Sequence, residues 1–269
     1  MGTVRSAAVA GLFYPESPTD LERTVRDLLA HAPHADLIPK AMIVPHAGYI
    51  YSGPVAASAY ACLQPLAERI RRVILLGPAH RVPLRGLALS DAESFATPLG
   101  DIPLDQAAIQ TLAGLPQISL NPRAHTQEHA LEVQLPFLQT VLRDFTLVPL
   151  VVGHASTEEV AEVIDRLWGG SETLILVSSD LSHYLSYRAA RQIDRVTVDA
   201  ILALEPLPHH EQACGAVPIN GLLESVRRRR MQAHLLDLRN SGDTAGPHDG
   251  VVGYAAIAFT EEAAHAHAG

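Results

Sequence analysis

Three stretches decide the fold: Ala41-Met42-Ile43-Val44-Pro45-His46-Ala47-Gly48-Tyr49, Val73-Ile74-Leu75-Leu76-Gly77-Pro78-Ala79-His80 and Leu174-Ile175-Leu176-Val177-Ser178-Ser179-Asp180-Leu181-Ser182-His183. Each opens with a short apolar run rich in β-branched residues and is closed by Gly, Pro or Ser. That is the pattern of a strand buried on both faces. Each then reaches a histidine. In an open α/β sheet, ligands and chemistry gather outside the carboxyl ends of the parallel strands. Three neighbouring parallel strands would therefore bring His46, His80 and His183 to one crevice. Imidazole is the commonest protein metal ligand and the natural acid–base near neutral pH. A fourth apolar run, Thr146 to Val152, is also followed by a histidine, His154.

Around these runs, apolar residues recur at helical spacing. Leu21, Val25, Leu28 and Leu29 follow the capping candidates Thr19 and Asp20. Val55 to Leu66 reads as a helix with Pro54 in its first turn, after a glycine-rich loop through Tyr49, Tyr51 and Gly53. Gln127 to Leu142 carries Leu131, Leu135 and Leu138 and is interrupted by Pro136. Ile109 to Leu112, Thr157 to Leu167, Arg188 to Leu204 and Gly221 to Arg230 read as further helices. Phe95 to Leu104 holds Pro98 and Gly100, as a hairpin does. Gly86 to Ser90, His234 to Leu238 and Val251 to Phe259 read as strands, the last two able to pair antiparallel. The alternation predicts an α/β fold of three layers, α/β/α, about a central, mostly parallel but mixed sheet. No Pro/Ser-rich linker divides the 269 residues, so one domain is expected, 1–269, with a frayed Ala/His-rich tail at 261–269.

Composition narrows the function. A hydrophobic content of 48% is ample for a core between two helix layers, and a formal net charge of −9 argues against nucleic acid or an anionic membrane as partner. The run Arg227 to Arg230 suits the negative end of a helix. The two cysteines are too few for a disulfide framework and fit a reducing, cytoplasmic setting. The apolar stretch Ser6 to Phe13 is too short for a signal peptide, and no run approaches the roughly 20 apolar residues of a membrane span. His209 and His210, beside Pro208, read as surface loop, and His265 and His267 in the tail receive no role. No phosphate-binding glycine loop, dinucleotide fingerprint or Cys-x-x-Cys pair is present.

His46 and His80, each set among Gly and Pro, form the strongest pair of candidate metal ligands. Cys214 is the expected third donor. It stands in Ala213-Cys214-Gly215-Ala216-Val217-Pro218 ahead of a helix, where a thiolate is favoured and coordinates metal well. Two imidazoles and a thiolate with open positions suit iron, copper or zinc. Asp180 and His183 are the candidate catalytic pair, the carboxylate orienting an imidazole and His183 acting as general base or further ligand. His129 and Glu132, three residues apart, are expected to share a helix face and shape the pocket. Tyr49 and Tyr184 are expected to line it as hydrogen-bond donors. Two other readings fit the same residues. One is a metal- or partner-binding protein without turnover. The other is a metal-free hydrolase or transferase with Cys214 as nucleophile, which needs an imidazole within hydrogen-bond reach.

The motifs are also specific as a set. Ala8 to Pro15, Val44 to Gly53, Leu76 to His80, Glu128-His129-Ala130-Leu131-Glu132-Val133-Gln134-Leu135-Pro136-Phe137, Ser178 to Tyr184 and Cys214-Gly215 with Pro218-Ile219 resemble the Memo family, in bacteria and archaea called AmmeMemoRadiSam system protein B. The resemblance implies a fold like that of class III extradiol dioxygenases, which hold ferrous iron with two histidines and a carboxylate. By motif, His46 and His80 match the histidine ligands, Cys214 stands where those enzymes have the carboxylate, and His183 matches their acid–base, with Asp180 beside it. The implied cofactor is Fe(II) or Cu, with Zn as a further candidate. The implied activity is redox chemistry on an unknown small-molecule substrate, and the implied partners are AMMECR1-domain and radical-SAM proteins. Eukaryotic members carry Arg-His where this chain has Ala216-Val217, and a histidine where it has Gln134.

Overall fold

A computed structural model describes residues 2–208 and 211–261. The expectations for His209, His210, His265, His267 and the tail from 262 onward lie outside the described residues. In chain order the strands are β1 (Val4–Arg5), β2 (Ala41–Val44), β3 (Arg72–Pro78), β4 (Leu87–Leu89), β5 (Ser94–Thr97), β6 (Gly100–Pro103), β7 (Ile118–Leu120), β8 (Thr146–Val152), β9 (Thr173–Ser178), β10 (His183–Leu185), β11 (Gln232–Asn240) and β12 (Val251–Thr260). The helices are α1 (Pro18–Ala30), α2 (Tyr49–Tyr60), α3 (Gln106–Gln110), α4 (Pro122–Thr126), α5 (His129–Glu132), α6 (Leu135–Val141), α7 (Thr157–Arg166), α8 (Tyr187–Leu202) and α9 (Ala216–Arg228).

The main sheet has the order β10-β12-β2-β9-β3-β8-β4-β7, with β11 paired to β12. Its centre, β2-β9-β3-β8, is parallel. Antiparallel strands flank it: β12 beside β2, β4 beside β8, and β10 and β11 on β12. The predicted mixed sheet is therefore present. The central strands are apolar throughout because both faces are covered, not one. Met42, Val44, Val73, Leu75, Leu174 and Leu176 pack toward α1, α2 and α6. Ile43, Ile74, Leu76, Ile175 and Val177 pack toward α7, α8 and α9. Two cores on opposite faces of one sheet make the three layers, and each such side chain contributes about 1.5–3 kcal/mol on burial.

Differences from the sequence reading are local. Helix α2 begins at Tyr49 rather than Val55, with Gly48 as its cap and Pro54 inside it. Proline deprives the carbonyl four residues back of its partner; here that residue is Ile50, 68% exposed on the first turn. The Gln127–Leu142 pattern breaks into α5 and α6, and Pro136 takes a first-turn position of α6, where its missing N–H costs nothing. Helix α9 starts at Ala216, directly after Cys214-Gly215, with Pro218 in its first turn. The β5–β6 hairpin forms a separate three-stranded sheet with β1. A full capping box, Ser156 with Glu159, starts α7.

This topology positions the site. Strands β2, β9 and β3 run parallel in register, Val44 beside Ser178 and Val177 beside Leu76, so their carboxyl ends open on one edge. A Cβ on Gly77 would come within 2.8 Å of Leu131, so the glycine lets α5 close over the end of β3. That contact brings His129 to the same edge.

Candidate metal centre

His46 follows β2 and is 1% exposed. Its backbone N–H donates to Asp180 Oδ1 at 2.7 Å, and its ring Nδ1 lies 3.0 Å from Ser178 Oγ. The Ser178 hydroxyl spends its single proton on Ala130 O at 2.6 Å and also accepts from Gln134 Nε2 at 2.8 Å. Nδ1 of His46 must then be the protonated nitrogen, and the lone pair sits on Nε2. His80, after β3, is fixed by Glu128, which accepts from its backbone N–H at 2.6 Å and from Nδ1 at 2.9 Å. Nε2 is again the ring nitrogen left for a ligand. A carboxylate or oxygen acceptor behind an imidazole is the common arrangement around protein-bound metals.

His129, at the start of α5, completes the group. One ring nitrogen from each of His46, His80 and His129 lies within 4.8 Å of the others. The His80 and His129 rings stack at 4.8 Å, and His46 meets both edge-on, at 5.2 and 5.4 Å. His129 Nδ1 is buried without a hydrogen-bond partner. Burial, then the neighbouring His80, holds His46 down to about 3, and burial, then His46, holds His129 down to about 4. Both rings are thus neutral at pH 7, the form that binds metal. Burial works against charge on Glu128 as well, but its bond to His80 and the N–H donors outweigh it and keep the carboxyl at about 2. Two imidazoles whose Nδ1 is held by an oxygen acceptor, and a third whose Nδ1 has no hydrogen-bond partner, fit a metal ion.

Cys214 Sγ lies 3.3 Å from His46 Nε2 and accepts from the Asp180 N–H at 3.3 Å. Its segment is held by Gly215 N–H donating to Ser179 Oγ at 2.9 Å, and a Cβ on Gly215 would meet Ser179 at 2.6 Å. Burial, then the Asp180 charge, pushes the Cys214 thiol up to about 12. Asp180 is itself buried, which raises its carboxyl above the ordinary value despite the His46 N–H. Its Oδ2 lies 4.0 Å from His46 Nε2.

An open cavity of about 580 Å³ faces the imidazoles, walled by His183, Tyr184, Asp180, Phe13, Tyr51 and Tyr254. Tyr184 holds a left-handed backbone, φ 58°, at this rim. His80 and Cys214 also line a recess on their other side, with His154. Two expected pocket residues lie elsewhere. Tyr49 is 3% exposed and donates to Val133 O at 2.8 Å, because α2 already includes it and turns it into the core. Glu132 is fully buried, paired with Arg5, and accepts from Tyr14 OH at 2.5 Å and from Val9 N–H at 2.9 Å. Three residues along a helix leave side chains about 60° apart, so His129 can face the cavity while Glu132 anchors the N-terminal segment. Sequence reasoning grouped Glu128 with its neighbours but did not see its grip on His80. Ser178 and Gln134 stood out in the sequence as part of a motif and as a departure from the histidine of eukaryotic members. They did not stand out as the group that holds His46, Gln134 acting through the Ser178 hydroxyl.

Among the described residues no helix is long and apolar enough to cross a membrane. The Memo-like protein family model matches residues 5–258. A MEMO1 family protein of Aquifex aeolicus is 34% identical, the match covering 95% of this chain and 99% of that protein. Another, of Methanosarcina barkeri, is 35% identical over 94% and 99%. An uncharacterised protein of Escherichia coli K12 shares the fold at a TM-score of 0.53 and 14% identity, over 81% of this chain and 98% of that one. The architecture, the motif order and these matches agree: the chain belongs to the Memo-like protein family.

Proposed function

We propose that this chain is a metal-dependent redox protein, with iron or copper held by His46, His80 and His129 and with Cys214 as an adjoining sulfur donor. The observation that carries the reading is the convergence of three imidazole nitrogens within 4.8 Å, on rings backed by Ser178 and Glu128. When bound, such a metal supplies a redox-active, electron-accepting centre with open positions for a small-molecule substrate.

The chain's own groups divide the remaining work. Ser178 and Glu128 keep the proton on Nδ1 of His46 and His80. Asp180 fixes the His46 backbone through Oδ1. His183, on the wall of the same cavity, holds or moves a proton for the substrate. Phe13, Tyr51 and Tyr254 give the cavity an aromatic lining suited to a flat organic molecule.

The 3.3 Å contact between Cys214 Sγ and His46 Nε2 also favours a metal-free Cys–His nucleophile. An activated thiol needs a lowered pKa, and Cys214 is pushed up to about 12. A bound cation reverses that balance by deprotonating the thiol, so the metal reading accounts for the cysteine better.

The test is elemental analysis after anaerobic purification, wild type beside His46→Ala, His129→Ala and Cys214→Ala. Near-stoichiometric iron or copper in wild type, lost in His46→Ala and reduced in the other two, supports the site and justifies an oxygen-consumption screen with catechol-like substrates. Reconstituted wild type that holds no more metal than His46→Ala refutes it.

A further inference from the structure

A second groove, about 800 Å³, lies between α8 and the end of β11, outside the histidine cavity. Four guanidinium groups line it. Arg188, Arg191 and Arg195 stand at i, i+3 and i+7 and so share one face of α8, and Arg239 enters from β11. Arg195 is paired with Asp199 and Arg239 with Asp237, both at 2.9 Å. Among the described residues, Arg188 and Arg191 have no carboxylate within ion-pair distance.

Two carboxylates also line the groove, each held in place by hydrogen-bond donors. Asp194 is 2% exposed and accepts the Ser182 N–H at 3.0 Å. Asp243 accepts Tyr187 OH at 2.5 Å and the Asn240 N–H at 2.9 Å. Two guanidinium groups without a carboxylate partner within ion-pair distance thus stand on one helix face in a chain whose formal net charge is −9. Guanidinium forks match phosphoryl oxygens bidentately. Arg188 and Arg191, the latter over the Tyr187 ring at 5.8 Å, lack carboxylate partners beside two arginines held in place. That pair matches a ligand with at least two negative charges, and the volume admits a molecule larger than a single oxyanion.

We propose that this groove binds a small molecule through a diphosphate group. The site also touches the histidine cavity through a shared wall. Asn240 and Asp243 line the groove, whereas Ser241, Gly246, Pro247 and Gly250 of the same segment line the cavity. Tyr187, in the groove, stacks on His248 of that segment at 4.4 Å. An occupant held by Arg188 and Arg191 braces Tyr187 and, through it, the 240–250 wall.

The experiment is calorimetric titration of the full chain with pyrophosphate, ADP and citrate. The proteins are wild type, the double variant Arg188→Gln/Arg191→Gln and, as a control for binding at the metal centre, His46→Ala. Saturable pyrophosphate binding, weakened by about tenfold or more in the double variant and retained in His46→Ala, supports the site. Tighter ADP binding assigns the organic part of the ligand to the remaining groove; equal binding assigns recognition to the diphosphate alone. Citrate binding as well as pyrophosphate overturns the phosphoryl assignment. Absence of saturable phosphate binding, or equal binding by the double variant with an unchanged melting temperature, overturns the proposal. Loss confined to His46→Ala places the anion at the metal instead and also overturns it. Metal content is measured independently of these titrations, so the two proposals fail separately.

Discussion

Glu128 grips His80 at two points, accepting from its backbone N–H at 2.6 Å and from its ring Nδ1 at 2.9 Å. The carboxylate therefore sets both the place and the tautomer of the ring. Glu128→Gln keeps the shape but removes the charge, and its amide can present an N–H to Nδ1. Metal affinity in this variant is expected to drop about 10–100-fold, measured by competition with a chromogenic chelator. Unchanged affinity would remove Glu128 from the site.

The Arg5–Glu132 pair is fully enclosed, and Glu132 also satisfies the N–H groups of Ala8 and Val9 and the hydroxyl of Tyr14. Removing one partner leaves the other charge buried and unpaired. Glu132→Gln is expected to cost about 3–5 kcal/mol in urea unfolding, and to expose the first residues to protease before the rest. A loss under about 1 kcal/mol would mean that the pair is solvated.

Much of this architecture was legible because it is local. Strands β2, β3 and β9 announce themselves by unbroken apolar runs, and chain direction alone puts His46 and His80 at strand ends. What escaped depends on long-range contact. Glu132 and His129 look equivalent in sequence, yet Arg5, 127 residues away, claims one of them. Tyr49 follows a glycine that reads as loop, but Gly48 caps a helix whose packing outweighs the interior Pro54. Of the candidate donors, His129 was the least conspicuous, because a single-turn helix has no periodicity of its own to show which way a side chain points.

His125 should make part of the metal-free protein's stability sensitive to acid well above the carboxylate range, against the opposite contribution of buried Asp194, whose carboxyl burial raises to about 6. His125 donates from Nε2 to Ala88 O at 3.0 Å, its Nδ1 is buried without a partner, and burial holds it down to about 4 against 6.5 ordinarily. Between those values the unfolded chain takes up a proton that the folded one refuses. The His125 contribution to stability is therefore complete above about pH 6.5 and declines as pH falls toward 4. His46 shifts in the same direction. His125 alone sets an upper limit of about 3 kcal/mol. Followed by NMR, the His125 ring should stay neutral until about pH 4, and the pH 5 to 7.5 loss in urea midpoint should shrink in a His125→Gln variant; a ring that titrates near 6.5 contradicts neutral burial.

The role of Cys214 separates most clearly by spectroscopy. As a free thiol pushed up to about 12 it is protonated at pH 7 and silent in the near ultraviolet. Its sulfur nonetheless lies 3.3 Å from Nε2 of His46, one of the three converging imidazoles. A soft divalent ion placed there lowers the thiol's pKa by its own charge and displaces the proton. Loading the wild type with Co(II) or Cu(II) should therefore produce a sulfur-to-metal charge-transfer band and release a proton, measurable in weakly buffered solution. Cys214→Ser should lose the band and the proton while keeping metal on the three imidazoles with lower affinity. If the band is absent in wild type but His129→Ala abolishes binding, the ligand set is histidine alone, and Cys214 serves only to fill the space beside His46.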